Sequence, residues 1–505
     1  MKKIKLLTAG LLAITVAGMA SASTEIRITG STAFRKGTVD AIERILNPGF
    51  VWGSTGGSGF GANQQIFVGV VSSSNASDPG DQVIIKCSWS GSAGGIQSLA
   101  QNLPAGQAFI IDPTGVTFGA TCTGTVGSVA LTAGTADLGT DSANIPAGDI
   151  TESHTADAAL SDAFQESTPF GYPGQVPAGL TGAIPNIALT STPVAIVPFE
   201  FVASAYSTDG STTANGGLPY PGVTNMTLLN AQELIAGGVQ LSQITGSTAA
   251  IDANTNVFNV GRDHDSGTRI TLIYDNQFNQ NVVFAQDTGY TEPVTQYIPN
   301  GATINGLTAP FSSPPVFTQF ESQTAGSGVV LSVTKWPSET VIGENRGLGQ
   351  EGFFSGSSVA GVLNRAWNTK ATGTSLYDIS NLGFGDAPSV NPGASYTYTD
   401  GASIVDTIKP SKNALLFNGV YPGTALHNFG PPFTNIEQGT YSFWGVEHFL
   451  TQTSLSGSVA SLAAAISGQV VTQADYLGIG DLLTNMTVGI SADGQQITPG
   501  FTETE

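Results

Sequence analysis

One local pattern constrains this chain more than any other. A short apolar strand runs into a turn of Gly, Ser and Thr, and the turn opens directly into an amphipathic helix. The first copy is Ile26-Arg27-Ile28-Thr29, then Gly30-Ser31-Thr32-Ala33-Phe34, then a helix carrying Val39, Ile42, Ile45 and Leu46. The second is Val83 to Trp89, then Gly91-Ser92-Ala93-Gly94-Gly95, then Ile96 to Ala100. The third is Asn256 to Val260, then Arg262-Asp263-His264-Asp265-Ser266-Gly267-Thr268, then Ile270 to Phe278. Strands alternating with helices predict an α/β fold with mainly parallel sheets. Each turn also sets hydroxyls and free backbone N–H groups at the positive end of a helix, where anions are favoured. Ordinary N-capping by Ser or Thr accounts for any single copy. Three copies, one with an Arg four residues before its Ser, point to an anion site.

The rest of the chain fits the same class. Helix-period segments also cover Asn230 to Gly237 and Val359 to Trp367, and a strand is predicted over Pro193 to Ala203. The Gly/Ser-rich stretches Gly53 to Ala62, Val71 to Ser77 and Thr123 to Gly134 read as surface loops or small β excursions. Thr288 to Gly328, with five prolines, reads as an inserted lobe or long loop.

Composition limits the partners. Among 505 residues, 16 are Lys or Arg and 37 are Asp or Glu, for a net charge of -21. This argues against nucleic acid and anionic membrane surfaces as partners, because such binding is driven by Lys and Arg displacing counterions. The N-terminus has Lys2, Lys3 and Lys5, an apolar run from Leu6 to Ala17, and Ala20-Ser21-Ala22. That reads as a secretory signal peptide over residues 1–22, with a periplasmic or secreted destination and no lipid anchor. No later run is long enough to span a membrane. The only two cysteines, Cys87 and Cys122, suit an oxidising compartment. A disulfide between them would be worth roughly 3–4 kcal/mol by loop-closure entropy; the alternative is two separate buried thiols.

A further segment, Ala136-Asp137-Leu138-Gly139-Thr140-Asp141-Ser142-Ala143, adds an acid. A carboxylate suits an anion pocket when the anion carries a proton, which it accepts as a hydrogen bond while repelling fully ionised oxyanions. A solvated turn is the plainer reading of this segment.

At these residues the sequence resembles the phosphate-binding proteins of ABC-type uptake systems, which have the two-lobed type II periplasmic binding fold. Gly30 to Phe34 matches the family's Gly-hydroxyl-aromatic turn, and Gly91 to Gly95 its Gly-Ser-x-Gly-Gly helix start. Asp137 to Ser142 matches its Asp-Phe-Gly-x-Ser-Asp segment with the last two residues exchanged, and Arg262 with Ser266-Gly267-Thr268 matches its ligand Arg and Ser-Gly-Thr run. Framework similarities continue at Met226 to Ile244, Leu382-Gly383-Phe384 and Gly439 to Trp444. The resemblance implies a first lobe of residues 23–195 plus 441–505, a second of 200–440, and a ligand cleft between them. Ser31, Thr32, Phe34, Ser92 and Asp141 would line one side; Arg262, Ser266, Gly267 and Thr268 the other. Asp141 would accept the proton of hydrogen phosphate, and Arg262 would supply the one full positive charge. The implied protein is a monomeric, non-enzymatic carrier without a cofactor, partnered by an ABC permease. Arsenate fits the same pattern; sulfate has no proton for the carboxylate. His264 stands where the family often has an acid that orients the Arg, and Ala33 replaces a usual hydroxyl.

Three other readings compete. Ser90-Gly91-Ser92-Ala93-Gly94 approaches a nucleophile elbow but lacks its first Gly, and no His has a spacing that picks a base. Asp252, Asn254, Asn256 and Asp263 have Ca2+-loop spacing, but Val257 stands where the loop needs Gly. A secreted or cell-surface protein reusing the scaffold for a structural or adhesive role is the alternative that oxyanion titration would separate.

Overall fold

The computed structural model describes residues 23–275 and 355–499, apart from 56–58, 73–78, 135–141, 147–149, 169, 178–182, 207–213, 237–238, 263–264, 365, 368–374, 400–404, 425–428, 475–477, 491 and 494–496. Between these two spans it describes only strands within 295–335. Residues 1–22, read as a leader, and most of 288–328, read as an insertion, lie outside the described residues.

The fold is α/β. β1 (Thr24–Gly30) places Ile26 and Ile28 in the core by period-two alternation, and α1 (Arg35–Ile45) follows the turn. Val39, Ile42 and Ile45 recur at helical spacing and are fully buried; each contributes about 1.5–3 kcal/mol by leaving water. β2 (Val51–Thr55) and β3 (Gln64–Val70) form an antiparallel pair with Val51 opposite Val68, and β3 pairs antiparallel with β4 (Gln82–Ser88). α2 (Ser92–Ala100) leaves β4 through the second turn. β1 lies between β4 and β5 (Ala158–Ser161) and is parallel to both, with Ile28 opposite Cys87 on one side and Ala158 on the other.

β6 (Leu189–Ala203) belongs to two groups of strands. α3 (Leu228–Ala236), β7 (Thr255–Asn259), α4 (Gly267–Asp275), α5 (Gly356–Leu363), β8 (Ser375–Gly383), β9 (Ala414–Phe417), β10 (Trp444–Gln452) and α6 (Gly457–Thr472) complete the frame. Leu189 to Pro198 of β6 pairs antiparallel with β10, which also pairs antiparallel with β5. Phe199 to Ala203 pairs instead with β8, which runs parallel to β7. Phe199, Phe201, Phe417 and Phe443 fill the junction, with the Phe201 and Phe443 rings stacked at 5.1 Å. Each strand and helix predicted from periodicity overlaps an observed one, including β6 over Pro193 to Ala203. The sheets are mixed rather than mainly parallel, because the β2–β3–β4 run and the long β6 and β10 pair antiparallel with their neighbours.

Of the two readings of Gly53 to Ala62, Gly53 to Thr55 takes the β one, as buried strand; its hydroxyls are satisfied inside, Ser54 Oγ with Ser142 Oγ at 2.7 Å and Thr55 Oγ1 donating to Gln64 Oε1 at 2.6 Å. One further expectation changes. Cys87 and Cys122 are free thiols, not a disulfide. Cys87 faces the same way along β4 as Ile85 and Val83, into the main core. Cys122 packs with Ile84, Ile66 and Val68 in the cluster across the sheet, so the sheet itself separates the sulfurs. Among the described residues no helix is long and apolar enough to cross a membrane.

Candidate functional site

The three turns converge. Ser31 N donates to Leu160 O at 2.8 Å, which ties the first turn to the end of β5, and Gly91 N donates to Gly30 O at 2.9 Å, which joins the second turn to the first. Gly91 has a φ of +89°, and a Cβ there would lie 2.3 Å from Asp265 O; a residue with a side chain would be strained and would push the third turn away. That approach lets Ala93 N donate to Asp265 O at 3.0 Å. Arg262 reaches back to the first turn, its Nη2 donating to Thr32 Oγ1 at 2.8 Å.

At the meeting point stands Asp162, the residue after β5, fully buried. Ser92 Oγ donates to its Oδ1, Thr268 Oγ1 donates to its Oδ2 at 3.1 Å, and Thr271 Oγ1 donates to its backbone carbonyl at 3.1 Å. Gly267 opens α4 so close to this carboxyl that a Cβ would lie 1.7 Å from Oδ1. Burial pushes the Asp162 carboxyl above the ordinary carboxylate range, while Ser92, Arg262 and Thr268 pull it back. Glu447 stands beside it, because the pairing of Ser161 with His448 sets the next residues, Asp162 and Glu447, side by side. Burial pushes Glu447 well up, the Asp162 charge adds to that, and the Ser31 hydroxyl opposes it.

Of the residues expected at the site, Ser31, Thr32, Ser92, Arg262, Ser266, Gly267 and Thr268 come together. Simple N-capping describes some of them: Phe34 N donates to Ser31 Oγ, and Arg269 N to Ser266 Oγ, each at 3.3 Å. It does not describe Ser92 and Thr268, whose hydroxyls turn to Asp162. Phe34 is fully buried with its ring against Gly37 and Gly480, so only its backbone faces the turn. Asp141 lies outside the described residues. The carboxyl among the hydroxyls is Asp162, and a readable signal marked it: Asp157-Ala158-Ala159-Leu160-Ser161-Asp162 has Asp, Ser and Asp at the family spacing, unexchanged, behind a short apolar run.

Three more residues were missed. Glu447 had no local signal, since only strand register brings it here. Arg35 and Lys36 open α1 directly after the first turn; Arg35 is buried beside Arg262, and Lys36 Nζ donates to Gly385 O. Arg262 is thus not the one full positive charge near the turns. Among the described residues, the chemistry available is hydroxyl and N–H donation from the helix N-termini, cationic donation from guanidinium, and the Asp162 and Glu447 carboxyls, which accept or hold a proton.

The other candidates resolve into structure. Asp252 accepts from Tyr220 Oη at 2.5 Å and from Thr245 Oγ1 at 2.7 Å, and Asn256 lies in β7. Among the described residues, no group of three His, Cys, Asp or Glu side chains could hold a metal ion. His448 Nδ1 is 2.9 Å from Ser191 Oγ, and its ring lies against Phe164 at 4.5 Å.

No family model matches the sequence, and no curated protein matches it. Solved structures similar to it include a chain from Clostridium perfringens described as a phosphate ABC transporter substrate-binding protein with bound phosphate, at 11% identity and a TM-score of 0.36, covering 91% of this chain and 100% of that one. Another is an ABC-type phosphate transport receptor from Vibrio cholerae, at 11% identity and a TM-score of 0.32, covering 90% of this chain and 99% of that one.

Proposed function

We propose that this chain is an extracytoplasmic solute-binding protein that captures hydrogen phosphate between the first two turns and the third, for delivery to an ABC permease. The observation that carries this reading is Asp162, a buried carboxyl ringed by Ser92, Thr268 and Arg262. A carboxyl with two hydroxyl donors and a guanidinium nearby suits an anion that brings its own proton, which is the case for hydrogen phosphate and arsenate and not for sulfate. The proton acceptor is therefore assigned to Asp162 rather than Asp141. Binding rather than covalent catalysis is favoured because the Ser92 hydroxyl donates to a carboxyl and not to an imidazole base. Capture would proceed by hinge closure about β6 and β10, which connect the two groups of strands. The signal-peptide reading of residues 1–22 gives the periplasmic or secreted setting.

A second reading has its own support. The hydroxyl of Thr268 bonds Asp162 directly, and Ala93 N bonds Asp265 O, so the turns also serve as ligands to one another. This favours a secreted or surface protein that reuses the scaffold as a rigid joint. Calorimetric titration with inorganic phosphate separates the two. Micromolar or tighter binding, lost in Asp162→Asn and Arg262→Ala, supports capture. Absence of any oxyanion binding by the unaltered chain selects the structural role.

A further inference from the structure

Arg35 is the first residue of α1 and is only 2% exposed. Its Nη1 donates to Asn63 Oδ1 at 2.9 Å, while its Nε has no hydrogen-bond partner among the described residues. A guanidinium cannot escape burial by losing its proton, as a carboxyl can by gaining one. The charged groups facing it are Asp386 from the loop after β8, Arg262 from the third turn, and Lys36 beside it. Asp386 is shared between Arg35 and Lys36. Arg262 meanwhile rests on Thr32, three residues before Arg35. Among the described residues, two guanidiniums and an ammonium therefore gather at the first turn, with Asp386 and the Asp162 carboxyl as acidic groups near them. Like charges held together out of water are costly until an anion joins them.

We infer that Arg35 is a second cationic ligand of this site, which with Arg262 flanks the oxyanion and selects its doubly charged form over the singly charged one. The inference rests on the oxyanion-capture reading and deepens it. A buried, unpaired N–H on a planar fork is the kind of donor that recognises an oxyanion at two points. Neither the turn motif nor the helix pattern marks this residue; its burial beside Arg262 does.

The test is calorimetric titration of the secreted chain with inorganic phosphate on either side of the second ionisation of phosphate, at about pH 5.5 and about pH 8.5, for the unaltered protein, Arg35→Gln and Arg35→Lys. Asp162 and Glu447 titrate in all three proteins, so their effect cancels in the variant-to-parent ratio. Arg35→Gln is expected to lose at least about tenfold in affinity at the higher pH and about twofold at the lower, with Arg35→Lys recovering part of the difference. Thermal unfolding checks that each variant is folded. Should Arg35→Gln fail to fold, Arg35→Met, uncharged and of similar length, takes its place: a larger loss at the higher pH supports the inference, and an equal loss overturns it. Affinity within about twofold of the parent at both pH values, or an equal loss at both, also overturns it, since a merely structural role does not depend on ligand charge. No phosphate binding by the unaltered chain refutes the capture reading itself and this inference with it.

Discussion

Replacing Gly267 by Ala is the sharpest perturbation that the geometry offers. The added methyl would lie 1.7 Å from Asp162 Oδ1, 2.5 Å from Ser92 Oγ and 2.7 Å from Ser92 Cβ, all well inside contact distance. Neither neighbour yields cheaply. Asp162 is anchored by the hydroxyls of Ser92 and Thr268 and through its own carbonyl by Thr271, and both Asp162 and Ser92 are buried. Overpacking costs about 1–3 kcal/mol, and loss of a hydrogen bond to a charged group about 1.5–3 kcal/mol. Ala gains back at most about 1 kcal/mol over Gly in a helix. The net expectation is a destabilisation of about 2–4 kcal/mol. If the third turn must approach Asp162 to hold the ligand, the same displacement weakens phosphate binding about 30-fold or more. Urea unfolding and phosphate titration read the two effects. Gly468→Ala in α6 is the control, because a Cβ there meets nothing within 4 Å, and it should be neutral or stabilising by up to about 1 kcal/mol. Stability within about 0.5 kcal/mol of the parent for Gly267→Ala, together with unchanged affinity, would refute the claim that this close approach holds the site.

Other consequences follow from burial and charge. Because Cys87 and Cys122 are on opposite sides of the sheet, reductant should leave the melting temperature unchanged, and mass spectrometry after denaturation in alkylating reagent should find both thiols modified. Burial pushes the Asp493 carboxyl up to about 7, against an ordinary 3.8. The folded chain then holds that proton more tightly than the unfolded one, so this contribution is full below pH 3.8 and lost as pH rises to about 7. Asp493→Asn should flatten that fall in a pH series of urea midpoints. Burial pushes His448 down to about 3 from 6.5, which works the other way: stability is lost as pH falls through that window, and His448→Gln should reduce the acid loss.

Local chemistry was legible where a residue's role depends on its sequence neighbours. The three strand-turn-helix units, the predicted strand within β6 and the grouping of Ser92, Arg262, Ser266 and Thr268 at helix starts all follow from periodicity and turn composition, which act over a few residues. The Ser-Asp at Ser161-Asp162 was equally readable, although the Gly-rich Asp137 to Ser142 segment, whose Asp141 lies outside the described residues, shares more of the family's residue types. What no local pattern could supply depends on contacts between distant segments. Glu447 joins Asp162 only because β10 pairs with β5 in one register, and Arg35 meets Arg262 across more than 200 positions of chain. The cysteines are kept apart by which face of β4 each side chain meets. The sequence by itself determined an acidic α/β chain with hydroxyl-bearing helix starts suited to an anion. Tertiary structure alone decided which carboxyl and which second guanidinium stand among them, because burial and charge are properties of packed neighbours and not of a segment.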